Sequence, residues 1–334
     1  MKKTLTIGAA TFDDFQGVWF TFQSLRLANL DIVNELDLLV IDNNPDSPDG
    51  KATKAYCEKA GIRYFEERER RSTSVRDRIF REALAPWAMS IDPHVLFEPM
   101  TILQLMAWLE GEGECCDLIQ GPMLYDYLGQ EIPATHMDPV WRDNMFGTWG
   151  HDKRGQDKRG EPWEIPLHGL GLFLCRVDSW PGFHPLFLGF GGEEGYIHEK
   201  FRQAGGKTIC LPFLRWLHRF DRPRGLDYPL LIEERIKNYL IGWLDIGKDP
   251  AEVVEHFATT HPQQPVEAVL LPEVMELLAA YETEPEETAQ RYHLQNYKAT
   301  TWHETQVNLG VPLEVDVMGQ RLAIKTLGLT WARD

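Results

Sequence analysis

The first half of the chain alternates short apolar runs with segments of helical pattern, and this alternation limits the possible folds more than any other feature. Apolar runs at residues 5–10, 36–41 and 87–91 predict buried strands. Residues 18–30 and 51–60 predict helices between them. Because strands that alternate with helices form a mostly parallel sheet covered on both faces, we predict an α/β fold.

Polar clusters follow several of these strands, at 11–14, 42–44 and 92–94. In open α/β sheets, ligands bind beyond the carboxyl ends of the strands. The sequence therefore predicts a ligand site at this edge of the sheet, before any family is considered.

The remainder of the first 225 residues continues the pattern with one interruption. Predicted elements are helices at 74–84, 100–110 and 193–204 and strands at 118–123, 169–175 and 208–211. Residues 125–166, rich in Gly, Pro and Trp, are predicted to be irregular. Within them, the segment 141–163 is predicted to act as a lid, with Trp149 and Trp163 either stacking on an acceptor or anchoring the loop.

The chain has 334 residues, which is more than one average domain. We predict a catalytic domain at 1–225 and a mainly helical appendage at 226–334, which would help select the acceptor or a partner subunit. Alternating apolar and polar residues at 311–327 predict a hairpin at its end.

The composition limits the classes of binding partner and the cellular compartment that we expect for this chain. The formal net charge of −17 disfavours general binding to nucleic acids or anionic membranes. The five cysteines are odd in number and lack metal-motif spacing, so we expect free thiols and a cytoplasmic location. No apolar run is long enough to predict a membrane span.

Asp92 and His94 are separated by one residue after a predicted strand, so in extended backbone their side chains would face the same way. A carboxylate oxygen and an imidazole nitrogen together suit Mn²⁺ or a similar ion, and His218 is a candidate third ligand. The alternative is that Asp92 caps a turn and the histidines are structural. Arg219, Arg222 and Arg224 make the segment around His218 basic, as a diphosphate site requires.

A glycine-rich segment at 189–192 precedes Glu193 and Glu194 at a predicted helix start. Glycines let a ligand approach the backbone closely, and the helix dipole favours carboxylates at this position. The two glutamates are candidates for binding sugar hydroxyls or for acting as a base. The alternative is a capped helix start with solvated glutamates.

Over roughly residues 4–224 the chain resembles glycosyltransferases of the GT-A fold, most closely the polypeptide N-acetylgalactosaminyltransferases and related retaining enzymes. Asp92 and His94 match the Asp-x-His motif of that family, and His218 matches its later metal-binding histidine. Residues 190–193 match its Trp-Gly-Gly-Glu motif, with Phe190 in place of Trp. The lectin domain and acceptor-side features of that family are not recognisable, so a peptide acceptor is not implied.

The N-terminal part also resembles family 2 glycosyltransferases. In that likeness Asp42 and Asn43 correspond to the motif that reads the base and ribose, and Thr11 to the position that contacts uracil. Arg76 corresponds to the helix position that faces the nucleotide, and Arg219 is a candidate for stabilising diphosphate charge.

The resemblance implies an enzyme that uses a UDP-sugar donor and Mn²⁺ or Mg²⁺. UDP-GalNAc, UDP-GlcNAc and UDP-glucose are the expected donors, and transfer to a hydroxyl is expected with retention of configuration. Glu193 would hold sugar hydroxyls, and Glu194 would serve as base if the reaction inverted. The acceptor stays open among a protein, a glycan, a small molecule and a hydroxylated DNA base.

Other functions are compatible with the same residues. Two histidines and a carboxylate also hold Fe(II) in non-haem oxygenases, which are usually built on an all-β jelly roll. A non-catalytic module that binds sugar nucleotides is the other alternative.

Overall fold

The computed structural model describes residues 3–111, 115–127, 129, 132–220, 228–308, 313–317 and 320–324, with side chains as far as residue 296. The strands are β1 (Leu5–Thr11), β2 (Leu36–Asp42), β3 (Arg63–Glu66), β4 (Trp87–Ile91), β5 (Val95–Phe97), β6 (Leu118–Gln120), β7 (Met123–Tyr125), β8 (His136–Arg142), β9 (Met145–Gly150), β10 (Trp163–Glu164), β11 (Leu172–Arg176), β12 (Thr208–Cys210), β13 (Trp216–His218), β14 (Leu313–Val317) and β15 (Gln320–Ile324).

The helices alternate with these strands in the first part of the chain and dominate the last part. They are α1 (Phe15–Ala28), α2 (Pro48–Ala60), α3 (Asp77–Arg81), α4 (Thr101–Gly111), α5 (Glu193–Gln203), α6 (Ile232–Asp245), α7 (Ala251–Thr260), α8 (Leu271–Thr283) and α9 (Pro285–Asn308). None of the described helices combines the length and the apolar character needed to cross a bilayer.

Among the described residues, the main sheet has eight strands in the order β10-β12-β6-β11-β4-β1-β2-β3. Strands β4, β1, β2 and β3 are parallel, as are β6 and β12, whereas β11 is antiparallel to both of its neighbours. A smaller sheet in the order β5-β13-β7 lies next to the carboxyl end of β4. The predicted α/β fold with a mostly parallel sheet is confirmed.

Successive residues of the central strands face opposite sides of the sheet, and both sides are buried. In β2, Leu39 and Ile41 join one hydrophobic cluster, whereas Leu36 and Val40 join another. This two-sided burial explains why the strands are continuous apolar runs in the sequence.

The C-terminal helices belong to the first of these clusters. Tyr239 and Trp243 of α6 are fully buried in it together with Phe173 of β11. The predicted domain boundary at 225/226 falls in the segment 221–227, outside the described residues, and the division into two domains stays a prediction. The predicted C-terminal hairpin is present as the antiparallel pair β14 and β15, although its turn and the ends of the range 311–327 lie outside the described residues.

The prediction of an irregular segment at 125–166 was wrong for much of its length. Residues 136–150 form the antiparallel hairpin β8–β9, and β10 adds an edge strand to the main sheet. Trp141 explains the stability of the hairpin: its ring packs edge-on against Tyr239 and stacks on His256. These partners lie about a hundred residues away along the chain, so no local pattern indicated them.

Two other predicted elements are interrupted. The strand predicted at 118–123 stops at Gly121, where a Cβ atom would lie 1.9 Å from the carbonyl oxygen of Leu214, and restarts as β7. The helix predicted at 74–84 begins as a 3₁₀ turn at Thr73–Arg76 and continues as the short α3. The five cysteines are free thiols, as expected.

Candidate active site

The polar ends of β1, β2 and β4 meet at one edge of the main sheet, beside a cavity of about 370 Å³. Its lining includes Thr11, Asn43, Asp92, His94 and His218, together with many apolar side chains. The parallel arrangement of β1, β2 and β4 brings these separate sequence positions to the same edge, as predicted.

Asp92, His94 and His218 form a tight cluster at this edge. Oδ2 of Asp92 lies 3.3 Å from Nε2 of His218 and 3.7 Å from Nε2 of His94, and the two Nε2 atoms lie 3.2 Å apart. Asp92 and His94 are separated by a turn and not by extended backbone. His218 joins them because β13 pairs antiparallel with β5, which places it opposite Val95.

This cluster fits a divalent ion. Ligands bonded to an ion at about 2.1 Å lie roughly 3.0–3.4 Å apart, close to the separations seen here. Desolvation in the cavity would raise the pKa of Asp92, but the hydrogen bond from His218 and the nearby His94 and Arg76 hold that pKa below its ordinary value. An ionised carboxylate and two imidazole nitrogens make a donor set for Mn²⁺ or a similar metal.

Asp14 orients one of the metal-ligand candidates. Its Oδ2 lies 3.1 Å from Nδ1 of His94, so a proton on Nδ1 leaves Nε2 with the lone pair that a metal ligand needs. The other oxygen of Asp14 accepts a hydrogen bond from the Gly17 amide, which caps α1, and lies 3.6 Å from Nη2 of Arg219. Sequence reasoning placed Asp14 in a polar cluster but missed this role.

Asp14→Asn is expected to lower the affinity for Mn²⁺ by about 10- to 100-fold, the usual effect of removing a carboxylate behind a ligating histidine. Asparagine is as good an N-cap as aspartate, so α1 should keep its start. A Mn²⁺ titration followed by electron paramagnetic resonance measures the change. Asp31→Asn, at an exposed position, is the matched control, and an equal loss in both variants would contradict the role given to Asp14.

Glu193 is held in a buried ion pair. Its Oε1 accepts a hydrogen bond from Nη2 of Arg76 at 2.9 Å and another from the Thr73 hydroxyl, while Oε2 has no hydrogen-bond partner among the described residues. Arg76 is 6% exposed and also donates to the carbonyl oxygens of Thr73 and Leu170. These bonds hold the Arg76 guanidinium in the protein interior at the edge of the site. Its contact with the nucleotide stays a prediction.

Glu194 is 7% exposed and lines the cavity, and its Oε2 makes no hydrogen bond to the part of the chain that the structure describes. Burial, together with the neighbouring charge of Glu193, raises the pKa of Glu194 to about 7. Near neutral pH this carboxyl can therefore either donate or accept a proton.

The raised pKa of Glu194 predicts a pH-dependent stability. The pKa in the folded state, about 7, exceeds the ordinary 4.5, so stability is lost as pH rises between these values. Glu194→Gln should match the wild type at pH 4 and exceed its free energy of unfolding at pH 8 by about 2–3 kcal/mol. Urea denaturation at the two pH values measures this, and a difference independent of pH would contradict it.

The loop before these two glutamates packs closely against α6, which leaves no room for side chains at Gly191 and Gly192. Gly191 and Gly192 have φ angles of +100° and +97°, which residues other than glycine rarely adopt. A Cβ atom on Gly191 would meet the Arg235 side chain at 2.7 Å, and one on Gly192 would meet Asn238 at 2.8 Å. Asn238 also donates to the carbonyl oxygen of Gly191, so α6 fixes the loop that presents the two glutamates.

The residues predicted to bind the nucleotide occupy different depths. Thr11 and Asn43 line the cavity, and within the described residues Oγ1 of Thr11 and Oδ1 of Asn43 are buried without hydrogen-bond partners. Asp42 lies below them, with its oxygens accepting hydrogen bonds from Tyr64 and the Asn44 amide, and burial raises its pKa. The roles of these residues stay predictions.

The basic and aromatic candidates are also separated. Arg219 lies beside Asp14, whereas Arg222 and Arg224 fall outside the described residues. Trp149 lines the cavity. Trp163 is buried in a small cluster with Ile165 and Cys210, as the anchoring interpretation expects. A lid function for 141–163 stays a prediction.

No protein-family model matches the sequence, and no curated protein matches it. Solved structures do match. One is GalNAc-T7 with UDP, GalNAc and Mn²⁺, which has a TM-score of 0.60 and 16% identity and covers 84% of this chain. The chain has a GT-A-like glycosyltransferase fold. It spans about half of the GalNAc-T7 chain, since the match covers 54% of that chain.

Two other solved structures match with lower TM-scores. The mannosyltransferase PcManGT from Pyrobaculum calidifontis, in complex with GDP-Man and Mn²⁺, has a TM-score of 0.49 and 13% identity, covering 91% of this chain and 88% of its own. TarS from S. aureus, residues 1–349 in complex with UDP-GlcNAc, has a TM-score of 0.49 and 10% identity, covering 99% of each chain. These similarities are too low to support an argument about the site of this GT-A-like chain.

Proposed function

We propose that the protein is a metal-dependent glycosyltransferase that moves a hexose from a UDP-sugar to a hydroxyl acceptor. The observation that carries the proposal is the cluster of Asp92, His94 and His218. It lies beside a cavity at the carboxyl ends of parallel strands, on a GT-A-like fold. Such strand ends are where open α/β sheets bind ligands.

The proposed donor is UDP-GalNAc, UDP-GlcNAc or UDP-glucose. Support comes from Thr11 and Asn43, which line the cavity at the ends of β1 and β2 and whose Oγ1 and Oδ1 atoms are buried without a hydrogen-bond partner among the described residues. A pyrimidine base would supply complementary donors and acceptors to them. The structural match to GalNAc-T7 with UDP, GalNAc and Mn²⁺ agrees with this choice.

Asp92, His94 and His218 would hold Mn²⁺ or Mg²⁺. A bound ion would act as a Lewis acid that offsets the charge of the leaving diphosphate. Arg219, anchored to Asp14 at 3.6 Å, is placed to add positive charge on the same side of the cluster. In a chain with a net charge of −17, such focused cations are needed for an anionic donor to bind.

Glu193 and Glu194 are the proposed sugar-binding groups. Oε2 of each residue has no hydrogen-bond partner among the described residues and would accept a hydrogen bond from a sugar hydroxyl. Because Arg76 holds Glu193 in place, its carboxylate is preorganised and does not need to reorganise when the sugar binds. We propose transfer with retention, in which Glu194 is not the base; an inverted anomer in the product would assign that role to Glu194 instead.

The acceptor is proposed to be a hydroxyl on a protein, a glycan, a small molecule or a modified DNA base, and the compartment to be the cytoplasm. The oxygenase alternative loses its basis, because the described fold is α/β and GT-A-like and not an all-β jelly roll. The alternative of a non-catalytic sugar-nucleotide module differs from the proposal only in turnover, so the experiment must measure binding and turnover separately.

The test is a panel of UDP-sugars incubated with the wild-type protein, with and without Mn²⁺. Metal-dependent release of UDP from one sugar would support the proposal and identify the donor. In parallel, UDP binding is measured by calorimetry. Binding that needs Mn²⁺ without any hydrolysis or transfer would favour the binding module, and absence of both would refute the proposal.

A further inference from the structure

The cavity has a second wall, on the side away from the proposed nucleotide position. In the main sheet, β4 with its Asp92 end lies between β1 and β11. Thr11 and Asn43 follow the strands on the β1 side. On the β11 side, Leu170 and Gly171 lead to the hairpin β8–β9, whose Met137 forms a bridge with Leu167. The metal cluster therefore separates the two walls.

The second wall is mostly apolar and aromatic. Met137, Met145 and Trp149 of the hairpin line the cavity together with Met123 of β7. The Trp149 ring lies 5.3 Å from the His168 ring, and a Cβ atom on Gly169 would lie 2.6 Å from it. Glycine at 169 thus leaves room for the edge of the indole, which adds an aromatic surface to the cavity lining.

The C-terminal helices hold this hairpin from behind. Nε1 of Trp141 donates to Glu252 of α7 at 2.9 Å, and Nε2 of His256 lies 2.7 Å from the carbonyl oxygen of Asp143 at the hairpin tip. The Phe146 amide donates to the hydroxyl of Tyr239 in α6. These contacts tie the hairpin to α6 and α7 at several points, as a preorganised binding surface requires.

Arg142, at the end of β8, is the charged residue of the hairpin that lines the cavity, and the proposed donor does not explain it. Its side chain lines the cavity and is partly buried. Among the described residues it makes no ion pair or hydrogen bond, unlike Arg76 and Arg219. A partly buried guanidinium without a counterion is stabilised by a ligand that brings a carboxylate or phosphate.

We propose that the hairpin wall is the acceptor subsite and that the acceptor is a small hydroxyl compound with an apolar or aromatic body and an anionic group, which Arg142 binds. This inference rests on the proposed function and defines the chemistry of its second substrate. Trp149 and the methionines would pack on the apolar body, while Arg142 would fix its orientation relative to the metal cluster. The anionic group is a phosphate or a carboxylate.

The experiment is calorimetric titration of the full chain, saturated with UDP and Mn²⁺, with phenyl phosphate, benzoate and benzyl alcohol. The wild type should bind at least one of the two anions about 10- to 100-fold more tightly than the neutral alcohol. Arg142→Gln should abolish that preference without changing the affinity for benzyl alcohol or UDP. Arg159→Gln makes the same charge change at an exposed position outside the cavity lining and should behave as the wild type.

Tighter binding of phenyl phosphate would assign a phosphate, and tighter binding of benzoate a carboxylate. Trp149→Leu should weaken all the aryl probes alike. Equal affinity of the wild type for anions and alcohol, no aryl binding in a protein that binds UDP, or the same loss in Arg159→Gln would overturn the inference. Failure to bind UDP with Mn²⁺ would instead refute the proposed function, and the acceptor assignment with it.

Discussion

His218→Ala is expected to lower metal-dependent release of UDP from the donor sugar by about 1,000-fold. The substitution removes one of the three atoms that converge on the proposed ion position, where Nε2 of His218 lies 3.3 Å from Asp92 and 3.2 Å from His94. Lewis-acid stabilisation of a leaving group is worth several kcal/mol, and each 1.36 kcal/mol corresponds to a tenfold change in rate. Activity assays at several Mn²⁺ concentrations measure the effect.

The same variant should also lose affinity for Mn²⁺ in the absence of any sugar nucleotide, which separates a metal ligand from a residue that only contacts substrate. His151→Ala is the matched control, because His151 is exposed and its Nδ1 contacts the carbonyl oxygen of Pro133. If His218→Ala kept Mn²⁺ affinity and activity while binding UDP normally, the cluster would not be the metal site.

The sequence predicted the strands of the central sheet well because both faces of that sheet are buried. The apolar run at 87–91 coincides with β4, and the run at 36–41 with most of β2. The hairpin β8–β9 was missed for the opposite reason. Its strands face solvent on part of one side, and the contacts of Trp141 with α6 and α7 that stabilise it are distant in sequence.

The proximity of Asp92, His94 and His218 could be predicted because chemically distinctive residues follow strands that the fold brings to one edge. The surroundings of these residues could not. Asp14 is recognisable as a helix cap, but its contact with His94 depends on how α1 packs against the turn after β4. Arg142 has no distinguishing neighbours in sequence, and only the structure shows that its side chain lines the cavity. Long-range packing decides these roles, and a single sequence does not encode it in any local pattern.

The resemblance predicts that Arg76 contacts the nucleotide, whereas its contacts in the structure are with Glu193 and the surrounding backbone. Its guanidinium bonds Glu193 and the carbonyl oxygens of Thr73 and Leu170, and it lies over the ring of Phe183. These contacts predict that Arg76 holds Glu193 in place, and an experiment can separate this role from direct contact with the nucleotide.

Arg76→Met is expected to lower the free energy of unfolding by about 3–5 kcal/mol, because it leaves the buried charge of Glu193 without its partner. The double variant Arg76→Met, Glu193→Gln should be less destabilised than the sum of the single variants, since the unpaired charge is also removed. Arg176→Met is the control: Arg176 pairs with Asp178 at 2.6 Å, but Asp178 is 65% exposed, so a change below about 1 kcal/mol is expected. Urea denaturation followed by tryptophan fluorescence gives these values.

UDP affinity measured on the folded fraction should change little in Arg76→Met. A large loss of UDP affinity with unchanged stability would instead support direct contact with the nucleotide and exclude the positioning role.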